Sequence, residues 1–316
     1  MRPFDLTAPA TVAAALASPG TFLAGGTTLV DLMKLNVLTP SLVMDINALP
    51  LRGIDTSDGL RIGALERMSD IARHPGVYPV ISQALLLSAS QQLRNMASIG
   101  GNLLQRTRCG YFRDVSAPCN KREPGSGCPA ISGANRTHAV LGTSDSCVAT
   151  HASDVAVALV ALDAQIRLAS ASGTRTVRLA DFYRLPGGTP HVENDLRPGE
   201  LITEVLVPRL DWAWRSTYVK VRDRQSYEFA ICSAAVALDI RDSRIAGARI
   251  AVGGVATRPW RLASVEAALR GAPVTPEAFE EAASVAAEGA RPLPGNAFKV
   301  SLLKRTIVRA LIEGSR

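Results

Sequence analysis

Four of the five cysteines, Cys109, Cys119, Cys128 and Cys147, fall within 39 residues, with nine, eight and eighteen residues between successive members. Clustered thiols have three chemistries open to them: disulfide pairing, zinc binding and iron-sulfur ligation. No C-x-x-C pair occurs, which disfavours a zinc ribbon or finger. Two disulfides would suit an exported chain, yet the N-terminus MRPFDLTAPATVAAALASPG lacks the sustained apolar core of a signal peptide. Four thiolates in a loop rich in glycine and proline can also wrap a cubane, because such a loop turns sharply and offers backbone N–H groups to the sulfurs. Gly110, Pro118 and Pro129 stand immediately beside three of the cysteines. Spacing alone leaves all three readings open. Arg106, Arg108, Arg113, Lys121 and Arg122 surround the first two cysteines. They would either offset an anionic cluster or form a basic surface facing a partner. Cys232, alone in FAICSAAVAL, is expected to be a small buried hydrophobe.

Two glycine pairs carry a second possible chemistry. Ala24-Gly25-Gly26-Thr27-Thr28 joins a short strand to a helix, a junction that leaves backbone N–H groups unpaired beside the positive end of a helix dipole. Glycine lets an anion approach the main chain, and Thr27 or Thr28 could cap the helix, so the turn suits a pyrophosphate. It is neither G-x-G-x-x-G nor G-x-x-x-x-G-K-[ST], so no Rossmann site or P-loop is supported. The second pair lies in RNMASIGGNLLQ, with Gly100, Gly101 and Asn102 between a polar and an apolar segment. Two such turns would serve a long, two-ended cofactor such as a flavin dinucleotide, although each could equally be a plain turn.

The elements that would position these groups read as α+β. FLAGG (22–26), LVMDI (42–46) and LRIGAL (60–65) are strands; TTLVDLMKL (27–35), MSDIARH and VISQALLLSAS are helical. Periodicity vanishes between residues 105 and 150, a stretch too long for a structureless loop unless something organises it. A helix follows at 153–162, opened by Ser153 or Asp154, and then AQIRLAS, TRTVRLADF and LITEVLVP read as strands. The segment 208–214 marks a boundary, after which three strands and three helices (263–270, 276–289, 297–313) form a separate unit.

Composition bounds the function. With 47 % hydrophobic and 20 % charged residues over 316 positions the chain can build a core and is not disordered. A net charge of +7 is compatible with an acidic cofactor or partner. A zinc-stabilised nucleic-acid-binding module is the reading from a different class; dispersed cations, 5 % aromatics and no base-stacking platform argue against it. No run approaches the roughly 18 apolar residues that span a bilayer, so no membrane partner is expected. No Ser-His-Asp or paired-carboxylate arrangement supports hydrolysis. His151, just before Ser153, could approach a flavin; His74, His138 and His191 show no metal spacing and are taken as ordinary.

FLAGGTTLVDLMK, RNMASIGGNLLQ, THASDVAVALVALDA, RPGELITEVLVP, YVKVRDRQSYEFAICSAAVAL and VGGVATRPWRL stand in the order and rough spacing of the FAD-binding medium subunit of the xanthine dehydrogenase family of molybdenum hydroxylases. The cysteine-bearing insertion resembles that in the flavin subunit of bacterial periplasmic aldehyde oxidoreductases. The resemblance implies a vanillyl-alcohol-oxidase-type FAD domain at 1–209, of two subdomains (1–55 and 56–209), with an iron-sulfur insertion at about 105–150. A smaller α+β domain, a three-stranded sheet with helices, would occupy 213–316. It further implies that Ala24, Gly25, Gly26, Thr27, Thr28 and Leu29 hold the FAD pyrophosphate. Ser98, Gly101 and Asn102 would lie along ribityl and phosphate, Ser153 and Asp154 against the cofactor, and Ile202 and Lys220 at the isoalloxazine. Cys109, Cys119, Cys128 and Cys147 would ligate one [4Fe–4S] cluster, with Thr107 between the two cofactors.

The function implied is electron transfer within a molybdenum-containing aldehyde oxidoreductase. A small subunit with two [2Fe–2S] clusters would deliver electrons from a large molybdenum-cofactor subunit, and FAD would pass them to an external acceptor. Alternatives are the flavin subunits of carbon monoxide dehydrogenase, aromatic acyl-CoA reductase or xanthine dehydrogenase types. The same resemblance implies a periplasmic location, reached as a folded complex on a partner's signal, with the cytoplasm as the alternative.

Overall fold

In the computed structural model, which describes residues 1–316, the chain forms three sheets. The first is three-stranded and parallel, in the order Asp5–Thr7, Leu42–Asp45, Thr21–Leu23. Helices Val12–Leu16 and Leu29–Lys34 make the crossovers that parallel neighbours require. The second has five antiparallel strands in the order Ile54–Asp55, Leu60–Gly63, Leu201–Val207, Gln165–Ser170, Gly173–Arg178. TRTVRLADF is therefore only partly strand: Leu179–Phe182 turns into a helical turn that buries Leu179 and Phe182.

The third sheet has four antiparallel strands, Ser216–Val221, Cys232–Arg241, Arg244–Gly253 and Trp260–Arg261, where three were expected. The added strand is two residues long, too short to show a period of two. Cys232–Arg241 is buried on both faces, which explains its unbroken apolar run. Ala235 and Ala237 join the larger core, with helices Pro79–Leu86 and Asp154–Ala161, while Ala234, Val236 and Leu238 face the core that holds helix Phe298–Ser315. All eight residues of Asp154–Ala161 are buried, so the helix that opens with the Ser-Asp pair is packed on every side. Cys232 is fully buried, as an apolar residue of this run should be. No helix is long and apolar enough to cross a membrane.

The second glycine pair is not a turn between segments. Gly100 and Gly101 lie inside the helix Ile99–Leu103, N-capped by Ser98, whose Oγ accepts from the Gly101 N–H at 3.2 Å.

Candidate functional site

Two cavities share Thr27 and Thr28. One, of about 210 Å³, is lined by Ala24 to Leu29 together with Ser98, Gly101 and Ile202. The other, of about 530 Å³, takes in Ser88, Asn102 and Asp154. The first glycine turn is shaped for close approach. A Cβ at Gly25 would strike the Met96 carbonyl, and Gly26 has φ +71°, the left-handed region that glycine enters without strain. Gly25 thereby seats this turn against the segment that leads into the second glycine pair.

The decisive feature of the turn is what its main chain leaves undone. The backbone N–H groups of Gly25, Gly26, Thr27, Thr28 and Leu29 donate to no acceptor in the chain. Thr28 occupies the N-cap position of Leu29–Lys34 but makes no side-chain capping bond, contrary to expectation. Five successive free donors on a cavity wall are an anion cradle. The second glycine motif differs. The Ile99, Gly100, Gly101 and Asn102 N–H groups bond Glu66 O, Ala64 O, Ser98 Oγ and Ser98 O. Its glycines serve packing, since a Cβ at Gly100 would lie 3.0 Å from that of Ala64.

Asp154 is 6 % exposed and accepts from three side chains: Ser88 Oγ at 3.0 Å, Tyr218 Oη at 2.8 Å and Lys220 Nζ at 2.8 Å. Burial, and then the Asp154 carboxylate, push the Tyr218 hydroxyl well above the usual tyrosine range. Lys220, expected at the flavin ring, lines neither cavity. Its side chain is 1 % exposed and donates to Asp154 and to the Leu87 carbonyl, so it clamps the third sheet onto the helix that Asp154 opens. Ser153 caps that helix and donates to Asn102 Oδ1 at 2.6 Å, linking two motifs 51 residues apart.

The four clustered cysteines line one small cavity with Lys121, Phe112 and His138. None is in a disulfide, and no three His, Cys, Asp or Glu side chains converge as a single-ion site. Their void is only about 10 Å³. Burial pushes the Cys109 thiol up to about 11 and raises that of Cys147, each further opposed by neighbouring thiolates. The backbone N–H groups of Tyr111 and Phe112 near Cys109, and of Ala149 near Cys147, act in the opposite sense and favour the thiolates. Thr107 lies beside Cys147 in a separate pocket of about 30 Å³, where its Oγ1 accepts from the Cys109 N–H at 3.3 Å.

The cations of this loop do neither thing expected of them as a group. Arg108 and Arg113 both bond Asp31, on the helix after the first glycine turn, at 2.8 Å. Arg122 staples the carbonyls of Tyr111, Phe112 and Ala117. Arg106, which also lines the first cavity, meets Glu193 at 2.5 Å, and Lys121 meets the same carboxylate at 3.0 Å. Only Lys121 among the five lines the cysteine cavity. His151, expected near a flavin, instead lies half-buried in the pocket beside Cys147, edge-on to Tyr183 at 4.5 Å; desolvation lowers its pKa to about 4. Sequence reasoning missed Glu193 and His138 because their partners are 87 and 29 positions away.

Comparison with known proteins adds a pedigree to this geometry. Residues 1–210 match the family described as FAD binding domain in molybdopterin dehydrogenase, and residues 217–313 the CO dehydrogenase flavoprotein C-terminal domain. The chain is 49 % identical to the aldehyde oxidoreductase FAD-binding subunit PaoB of Escherichia coli (strain K12), over 92 % of this chain and 90 % of that protein. It is 32 % identical to the glyceraldehyde dehydrogenase medium chain of Sulfolobus acidocaldarius, over 92 % and 86 %. Among solved structures, carbon monoxide dehydrogenase from Hydrogenophaga pseudoflava superposes with a TM-score of 0.75 at 26 % identity, covering 99 % of this chain and 98 % of that one.

Proposed function

The chain belongs to the FAD-binding family of molybdopterin dehydrogenases and is an FAD-binding oxidoreductase subunit, and on that premise we propose that it is the electron-transfer subunit of a molybdenum-dependent aldehyde oxidoreductase. The observation that carries the flavin site is the row of five undonated N–H groups from Gly25 to Leu29. They would hold the FAD pyrophosphate, with Ser98, Gly101 and Asn102 along the ribityl and Ile202 against the ring. Asp154, held by Ser88, Tyr218 and Lys220, would meet the cofactor from the second cavity. Bound FAD supplies a carrier that takes up and releases electrons.

The cysteine cavity is assigned a [4Fe–4S] cluster. The support is the donor set: four free thiols lining one cavity, Cys119 and Cys147 buried and Cys109 and Cys128 half-buried, with one lysine beside them. Burial alone would keep the Cys109 and Cys147 thiols protonated, and iron is what would hold the ligands as thiolates. A cubane exceeds the void, so the loop must widen around it. Arg106, Glu193 and Lys121 then form a chain of charge from one cofactor site to the other.

The aldehyde assignment rests on the 49 % relative; a carbon monoxide dehydrogenase flavin subunit, at 28 %, is the second reading. Partners are proposed to be a small [2Fe–2S] subunit and a large molybdenum-cofactor subunit, with electrons leaving to an external acceptor. The domain division at 209 and 213 is supported by the turn Asp211–Trp214 that separates the second and third sheets. The test is to purify the complex, separate this chain and measure flavin, iron and aldehyde turnover. The separated chain is expected to carry FAD and about four irons without oxidising aldehydes. Aldehyde turnover by this chain alone would overturn the subunit assignment.

A further inference from the structure

His138 has no role in the electron-transfer reading above, yet its environment is specific. The residue is 5 % exposed and lines the cysteine cavity, with Nε2 at 3.2 Å from the Cys109 sulfur. Its other ring nitrogen, Nδ1, is buried and has no hydrogen-bond partner. The main chain on both sides is pinned: the His138 N–H donates to Asn135 O at 3.0 Å, and its carbonyl accepts from Asn296 Nδ2 at 3.3 Å. The ring is therefore held at the sulfur by backbone anchored to the segment before the last helix.

The proton's place follows from chemistry. A neutral imidazole carries one N–H, on either of its two ring nitrogens. On Nδ1 that proton would have no acceptor, whereas on Nε2 it meets a sulfur. Buried polar groups take the arrangement that leaves fewest donors unpaired. The imidazole thus brings a side-chain donor to this sulfur at 3.2 Å.

We propose that His138 is a positioning residue that donates its Nε2–H to the Cys109 sulfur, draws electron density from that corner of the cluster and raises the cluster's reduction potential. The inference rests on the cluster reading above and assigns His138 no ligand bond. A hydrogen bond to a ligating thiolate stabilises the more negative, reduced cluster over the oxidised one, because the sulfur carries more charge after reduction. The effect favours electron arrival at this centre.

The test uses the whole complex, with wild type, His138→Leu and His138→Gln compared for iron content, flavin content and cluster potential by redox titration followed by EPR. Both variants are expected to keep iron and flavin at wild-type levels. The Leu variant is expected to show a lower cluster potential, the Gln variant part of the wild-type value through its amide N–H, and neither a shifted flavin potential. A wild-type complex that shows no [4Fe–4S] EPR signal and no iron beyond that of the partner's [2Fe–2S] clusters would overturn the cluster reading. The [4Fe–4S] signal present with an unmoved potential in His138→Leu would overturn the inference alone, as would loss of that signal and of about four irons from both variants, which would make His138 a ligand or a scaffold residue. Should His138→Leu fail to fold, pulsed EPR on wild type labelled with ¹⁵N-histidine decides: a histidine nitrogen coupling that His138→Gln abolishes supports the hydrogen bond, and its absence from wild type refutes it.

Discussion

The flavin cavity and the cysteine cavity share a small apolar contact, where Leu32 from the first packs with Phe112 and Cys119 from the second. They are built by opposite means. The flavin cavity is made by regular elements whose main chain is shaped by glycine and left with free donors; side chains contribute mostly packing. The cysteine cavity lies in chain with almost no regular structure, a four-residue helix Gly110–Arg113 and a 3-10 turn Pro129–Ile131, and is held by side chains. Asn120 reaches Ser146 O and takes the Gly127 N–H; Ser126 Oγ takes the Cys119 N–H; Arg122 gathers three carbonyls. A site made by backbone tolerates little change of shape at its glycines, whereas a side-chain site depends on a few polar groups.

If the two cavities are separate sites, each is removable alone. Replacing any of Cys109, Cys119, Cys128 or Cys147 by serine is expected to remove about four irons from the purified complex, leaving those of the [2Fe–2S] subunit, and to leave its FAD content unchanged, since no cysteine lines the flavin cavities. Retention of those irons in one variant would remove that residue from the ligand set, and joint loss of flavin would merge the two sites. The converse variant is Gly25→Val. Its Cβ meets the Met96 carbonyl, backbone that cannot step aside, so the turn must shift by an amount that costs about 1–3 kcal/mol. Flavin retention is expected to weaken by about 10- to 100-fold with iron intact, as measured by FAD content after dialysis. Unchanged flavin would place the pyrophosphate elsewhere.

This contrast also explains what was legible in the sequence. Ala24 to Leu29 could be read because a strand, a glycine pair and a helix in succession have one geometric outcome. Gly100 and Gly101 were misread because glycine is a poor helix former, while the capping serine three residues before Gly101 carries the opposite message. Lys220 looks like a residue near a cofactor or a solvated strand position; its burial comes from Asp154, 66 positions earlier, and from Leu87 O, contacts with no local signature. The arginines of the loop were visible as a cluster, but their partners Asp31 and Glu193 lie outside it. Side-chain sites assembled over long sequence separations are where reading by period and motif stops.

Glu193 is where the two regions touch electrostatically. Burial raises its carboxyl pKa, but Lys121 and Arg106 outweigh burial and hold it below the ordinary 4.5. A carboxyl with a lowered folded value contributes stability above about pH 4.5 and loses it as the pH falls through the folded value. Glu193→Gln leaves Arg106 and Lys121 without their counter-charge and is expected to destabilise by about 1–2 kcal/mol near neutral pH. Thermal melts should show that gap closing in acid. A gap that stays open once the pH has fallen through the folded value would show that the carboxylate's charge is not what stabilises.

The smallest effect separates the second glycine motif from the first. Ser98 caps Ile99–Leu103 through the Gly101 N–H, one of the four successive N–H groups from Ile99 to Asn102 that all have acceptors within the chain. Ser98→Ala is expected to destabilise by about 1 kcal/mol, the ordinary value of a lost N-cap, read as a lowered melting temperature of the flavin-free chain. It also frees the Gly101 N–H toward the cavity that Ser98 and Gly101 line. Flavin affinity should therefore change far less than in Gly25→Val, because a donor is released there and none of the five free donors of the first turn is disturbed. Loss of flavin from Ser98→Ala on the scale of Gly25→Val would show that the serine hydroxyl itself holds the cofactor, and would make the two glycine motifs equal partners in binding it.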